Sequence, residues 1–269
     1  MLGSTRGCSE KEPPAVAARM PTIMLGSLEV SRLILGSNPF WGYAHQPGKL
    51  AEEMKAYYTD DRIMAVLDEA AALGITAVVS PPEQRWLQLF AKYCDGGGKL
   101  RLWIAQPHGD PKQMKEEITR AVKGGAQAVF IQGGRADEQF AQGRMDLLRD
   151  WVEHILGLGV PAGMAAHHPG LHLEAEKRNF PTDFYFQCCY RPEKYLEEDR
   201  ATAMKAIRRI EKPVVAYKIL AAGRLSAEEG FAYAFKRLHR KDGVCVGVYP
   251  KNRPDEIGED AQLTRKLTR

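Results

Sequence analysis

The residue hardest to explain by packing alone is Lys218, set in the apolar run Val214-Val215-Ala216-Tyr217-Lys218-Ile219-Leu220. A lysine held among apolar side chains loses hydration and its pKa falls. Its neutral amine is then a base or a Schiff-base nucleophile. The blander alternative is a lysine that holds an anionic ligand or a buried carboxylate. Histidines form the second set: His45, His108 and the adjacent pair His167-His168. Imidazole exchanges protons near neutral pH, so His108 and His167 join Lys218 as candidate catalytic residues. A zinc site on His108, His167 and His168 is not expected. Neighbours in an extended segment point opposite ways, so the pair cannot easily ligate one ion. Asn38, Gln106 and Gln132 are candidate contacts for a polar substrate. Trp41, with Phe40 and Tyr43 beside it, reads equally as a stacking wall or as a plug. Glu83, after Pro81-Pro82, reads as a general base or, preferably, as a first-turn acid of the helix that follows.

Positioning these residues requires a scaffold, and the chain repeats one pattern from residue 22 onward. A short β-branched run is followed by a loop, an amphipathic stretch and a Gly or Pro. The strand candidates are Arg32–Gly36, Thr76–Ser80, Arg101–Gln106, Ala128–Gln132, Pro161–His167, Phe184–Cys189, Val214–Ile219 and Val244–Tyr249. Most are continuous apolar runs, as expected for parallel strands buried on both faces. Helical spacing is clearest in Ile63-Val66-Leu67-Ala70, Trp86–Tyr93, Met114-Ile118-Val122, Leu148-Trp151-Ile155, Met204-Ile207 and Phe231-Ala234-Phe235-Leu238. Eight such units predict an α/β fold, a (β/α)8 TIM barrel. An open doubly wound sheet would prefer a glycine-rich phosphate turn after its first strand, and Gly36-Ser37-Asn38-Pro39 is not one. Thr22–Met24 and Leu28–Val30, flanking Leu25-Gly26-Ser27, read as an N-terminal β-hairpin capping the closed end. The Gly-Gly pairs read as helix stops. Residues 1–20 read as a disordered tail and 21–269 as a single barrel domain.

Composition excludes several classes. Of 269 residues 44% are hydrophobic and 27% charged, enough for a sizeable core. No apolar run approaches a membrane span, and residues 1–20 lack the apolar core of a signal peptide. A surplus of 38 basic over 34 acidic residues, with no basic block, argues against nucleic acid. None of Cys8, Cys94, Cys188, Cys189 and Cys245 forms a CxxC pair, which suits reduced thiols in a cytoplasmic protein. Active residues in such barrels sit after the strands. Here those positions are rich in amides, histidines and cations and poor in acids. That opposes a two-carboxylate glycosidase or a Mg/Mn-dependent sugar isomerase.

Four segments resemble the aldo/keto reductases in the right order. They are Leu25-Gly26-Ser27-Leu28-Glu29-Val30-Ser31-Arg32-Leu33-Ile34-Leu35-Gly36, Gln187-Cys188-Cys189-Tyr190-Arg191-Pro192, Ala216-Tyr217-Lys218-Ile219-Leu220-Ala221-Ala222-Gly223-Arg224-Leu225, and Gly247–Asp260. The resemblance implies an NADP-dependent carbonyl reductase. Gln187 would bind the nicotinamide carboxamide, Tyr217 would stack on the ring, and Lys251 and Arg253 would hold the adenosine phosphate. The pattern departs from that family at its catalytic tetrad. Val79-Ser80-Pro81 stands where Asp and Tyr belong, Gln106 where Lys belongs, and Gln132 where His belongs. His167-His168 replaces the Ser-Asn pair. The expectation is a divergent aldo/keto reductase-like barrel acting on a small polar carbonyl or sugar-like compound, with NADP as the implied cofactor. The alternatives are a non-redox lyase, epimerase or isomerase built on Lys218 and histidines, or a non-catalytic binding barrel.

Overall fold

A computed structural model describes residues 19–192, 194–251 and 253–268. The expected tail therefore lies outside the described residues, apart from Arg19 and Met20. Met20 packs into the core.

The chain opens with the hairpin β1 (Thr22–Leu25) and β2 (Leu28–Ser31), an antiparallel pair with Leu25 opposite Leu28. The turn needs Gly26: its φ is +60°, and a Cβ there would lie 2.9 Å from Asp183 Cγ and 3.1 Å from Pro161 Cβ. Eight parallel strands follow: β3 (Leu33–Gly36), β4 (Ala77–Ser80), β5 (Leu102–Ala105), β6 (Ala128–Ile131), β7 (Ala162–Ala166), β8 (Phe184–Cys188), β9 (Val214–Tyr217) and β10 (Gly243–Gly247). They close in sequence order, β10 pairing with β3 through Val244 opposite Leu33. The molecule is a (β/α)8 barrel; seven strands fall inside the runs that the sequence marks for them, and β10 begins one residue ahead of its run, at Gly243.

Period-2 alternation divides the strands between two cores. Ile34, Val79, Ile104, Phe130, Phe186 and Val215 fill the barrel interior, with Ile23, Leu25 and Val30 of the hairpin closing its lower end. Their neighbours Leu33, Leu35, Val78, Trp103, Val129 and Tyr185 face outward into the helices. Phe130 and Phe186 stack 4.2 Å apart and floor the open end.

The outer ring holds α1 (Leu50–Tyr57), α2 (Asp60–Ala72), α3 (Gln84–Asp95), α4 (Met114–Lys123), α5 (Gly133–Ala141), α6 (Met145–Gly157), α7 (Pro169–Lys177), α8 (Glu197–Ile207), α9 (Ala227–Phe235) and α10 (Glu256–Leu267). Helix α2 shows why these segments start where they do. The Thr59 hydroxyl accepts from Arg62 N, and Asp60 and Asp61 stand at the positive end of the dipole. Helix periodicity does not single out α1, α5 or α7. The reading of Gly-Gly pairs as stops is corrected at Gly133-Gly134, which open α5. The reason is steric: a Cβ on Gly133 would lie 2.9 Å from the Tyr217 hydroxyl and 3.3 Å from the His167 ring. No helix among the described residues is long and apolar enough to cross a membrane.

Candidate functional site

The C-terminal ends of the strands surround a cavity of about 600 Å³ above the Phe130–Phe186 floor. Lys218, His167, His108, Tyr217, Arg253, Asn38, Gln106 and Gln132 all reach it. Gln187, Lys251 and Trp41 do not.

Lys218 follows β9 directly, with φ +57°, a left-handed conformation that side chains other than glycine seldom adopt. Burial lowers its amine pKa below the ordinary lysine value, against a smaller opposing effect from Cys188. Its Nζ lies 2.9 Å from His45 Nε2. His167 follows β7 and is oriented by Asp137 of α5. One carboxylate oxygen accepts both from His167 N and, at 2.9 Å, from the Nδ1 side of its ring. The second oxygen takes His168 N. With Nδ1 turned to a carboxylate, Nε2 is the ring nitrogen left for chemistry. His168 turns away and caps α7, accepting from Gly170 N at Nδ1. The two imidazoles thus diverge, as adjacent residues after a strand should.

His108 lies across the mouth, its Nε2 3.4 Å from Glu83 Oε1. Its backbone N donates to Glu117, and its carbonyl accepts from Arg135 Nε. Glu83 stands at the N-cap of α3, where an acid complements the helix dipole, and without a side-chain cap bond its carboxylate also lies beside His108. Gln132 has a structural duty as well as a place in the cavity, since its Oε1 caps α5 by accepting from Arg135 N at 3.0 Å. Trp41 packs beside the mouth, donating Nε1–H to Ser37 Oγ with Arg85 over its ring. Burial raises the Tyr217 hydroxyl pKa well above the ordinary tyrosine value; the hydroxyl donates to Ala166 O.

The nicotinamide set implied by the resemblance is only partly presented. The Gln187 amide is fully buried in the wall between β7, β8 and α7. It accepts from His172 at 2.9 Å and donates to the carbonyls of Ala166 and Cys188. Its polar atoms are therefore committed within the protein, and a nicotinamide carboxamide would need other partners. Arg253 reaches the cavity but is ion-paired with Glu259, and Lys251 is exposed outside it. Of the four residues, Tyr217 and Arg253 line the cavity, while Gln187 and Lys251 do not.

Sequence reasoning missed Asp137, because α5 is short, begins with two glycines and buries Gly133, Ala136 and Gln139 in place of large apolar side chains. It also left His45 as one of several residues after the first strand. No spacing rule links His45 to Lys218, 173 residues away. The buried His172 behind Gln187 gave no signal beyond its residue type.

These features define a (β/α)8 barrel with an amine, two oriented imidazoles and several amides at its C-terminal mouth. The same fold is found in a candidate aldo-keto reductase from Pseudomonas aeruginosa, with TM-score 0.67, 14% identity, and 95% of this chain and 99% of that chain covered. A second candidate aldo-keto reductase from that organism gives TM-score 0.62 at 16% identity over 90% and 94% of the two chains. A truncated 3-deoxy-D-arabino-heptulosonate 7-phosphate synthase from Thermotoga maritima gives TM-score 0.54 at 13% identity over 93% and 90%. At these identities the likeness is one of fold. No family model and no curated protein matches the sequence.

Proposed function

We propose that this chain is an enzyme that acts on a small polar carbonyl compound through the amine of Lys218, in the manner of a lyase, epimerase or isomerase. The observation that carries the reading is a half-buried lysine amine at the cavity wall, 2.9 Å from an imidazole, on a residue held in a left-handed conformation. Such an amine attacks a carbonyl carbon, and loss of water leaves an iminium that withdraws electrons from the neighbouring carbon. A proton on that carbon, or a bond to it, is then weakened. In this reading the imidazole of His167, oriented by Asp137, is the base that receives the proton. Asn38, Gln106 and Gln132 supply amides suited to hydroxyl groups. The test is borohydride trapping with a panel of aldehydes, keto acids and sugars, followed by peptide mass analysis. Adducts on Lys218, with turnover lost in Lys218→Met, support the reading. Turnover within a few-fold in Lys218→Met refutes it.

A second reading, an NADP-linked oxidoreductase, is favoured by one observation: Tyr217 and Arg253 both reach the cavity. Titration with NADPH and NADH, read by fluorescence and thermal shift, separates the two. Binding tighter than about 10 μM, with matching stabilisation by mass action, favours the redox reading.

A further inference from the structure

We propose that His45 is the proton partner of Lys218, carried to the amine by a strap, residues 42–48, that closes over the mouth of the cavity. The inference rests on the reading of Lys218 as the reactive amine and adds the group that moves its proton.

The strap leaves the barrel after the short 3-10 turn Asn38–Trp41 and returns at α1. Its ends are glycines with positive φ, +74° at Gly42 and +92° at Gly48, and a Cβ on Gly42 would lie 2.6 Å from Ala51 O. Between them the chain crosses to the loop after β9 and is fixed there three times. Lys218 Nζ meets His45 Nε2 at 2.9 Å, Arg224 donates to His45 O at 3.3 Å, and Gln46 donates to Ala222 O. Backbone strain gathers at this junction. Of six non-glycine residues with positive φ among the described residues, four are His45, Lys218, Ala221 and Ala222. Strain of this kind persists where the surroundings over-determine it, as at catalytic and gating sites.

The chemistry of the contact is one-directional. An ammonium has donors only, so His45 Nε2 accepts and its proton sits on Nδ1. Passing one proton from Nζ to Nε2 frees the amine pair to form the N–C bond while the C=O π electrons move to oxygen. After a proton shifts from nitrogen to that oxygen, His45 returns its own, and the oxygen leaves as water. The balance is ammonium plus carbonyl to iminium plus water, with His45 regenerated and nothing oxidised. His167 and Arg224 face His45, and Cys188 faces Lys218. Burial first, then Lys218, His167 and Arg224, hold His45 at about 4. Uptake of the proton from the ammonium is therefore uphill and its return downhill, so His45 holds it only while the N–C bond forms and then passes it to the departing oxygen.

The alternative role for His45 is a hydrogen bond that merely holds the strap, and two substitutions separate the roles. Glycine suits the φ of +52° at residue 45, so His45→Gly should keep the strap and leave an imidazole-sized gap. His45→Gln keeps an acceptor for the amine but cannot carry a proton. The readout is the rate at which glycolaldehyde and cyanoborohydride label Lys218, followed by peptide mass. The expected result is at least a tenfold slowing in both variants, in line with the ~10²–10⁴-fold usual for general acid–base groups. Added imidazole should rescue His45→Gly with a pH dependence that follows its free base. A wild-type rate in His45→Gln, or a slow His45→Gly that imidazole does not rescue, overturns the proposal. If Lys218 is unlabelled in the unsubstituted protein, the Schiff-base reading fails. The pair is then judged by ¹⁵N NMR titration of His45. An upward move of its midpoint in Lys218→Met sustains the partnership, and an unmoved midpoint overturns it.

Discussion

Asp260 offers a sharp test of how burial governs this molecule. It lies on α10, 2% exposed, against Leu35, Val246 and Ile257, and neither carboxylate oxygen has a hydrogen-bond partner. Burial, reinforced by Glu256, pushes its pKa from 3.8 up to about 8. The native state therefore binds this proton more tightly than the unfolded chain does. Stability from this group is complete below the unfolded value and is lost as pH rises toward about 8. At ~1.4 kcal/mol per tenfold in proton affinity, the whole interval corresponds to about 6 kcal/mol, of which about 4 kcal/mol is already lost at pH 7. Asp260→Asn keeps the shape and cannot ionise. Relative to wild type it should gain nothing near pH 4, then gain progressively to a plateau above pH 8. The assay is urea unfolding from pH 4 to 9, comparing midpoints of the two proteins at each pH. A relative gain of about 4 kcal/mol between pH 4 and pH 7 would move the midpoint difference by more than about 1 M at the slopes usual for small proteins. Any loss caused by an unpaired amide is a constant offset, so the change with pH carries the result. A difference that stays flat between pH 4.5 and 8 would refute the reasoning.

Other outcomes follow from the same packing. His172 is fully buried and held by desolvation at about 4, below its ordinary 6.5. The unfolded chain takes up that proton first, so up to about 3 kcal/mol should be lost as pH falls from 6.5 to 4. The slope in that window should flatten in His172→Leu, measured by urea unfolding. Gln187→Leu leaves the His172 ring without its side-chain partner and should cost about 1–3 kcal/mol in thermal unfolding, with ligand affinity in the cavity unchanged. Weakened affinity without lost stability would place that amide against the ligand instead. Asp137→Asn removes the carboxylate that orients His167. Turnover on any substrate that labels Lys218 should fall about 10²-fold with little change in KM, and a wild-type rate would remove the dyad from the reaction.

The barrel was legible because its strands are continuous apolar runs punctuated by Gly and Pro. That pattern reports burial on two faces, a local property of the chain. Lys218 was legible for a related reason, since a charge inside such a run is an anomaly at any register. The amphipathic helices α2, α4 and α6 declared themselves through 3.6-residue spacing. Helix α5 did not, because Gly133 answers to the Tyr217 and His167 side chains it must clear and not to helix propensity.

What residue types and periodicity determined, then, is the architecture and the set of strand ends at which chemistry would sit. Which of the residues there share a cavity was decided by closure of the barrel. Closure carried His45 across to Lys218, set Asp137 behind His167 and turned the Gln187 amide into the wall toward His172. Hydrogen bonds between groups far apart in sequence depend on side-chain direction at each strand end and on loop paths. Neither is written in the local pattern, and both are fixed only when the eight strands come together.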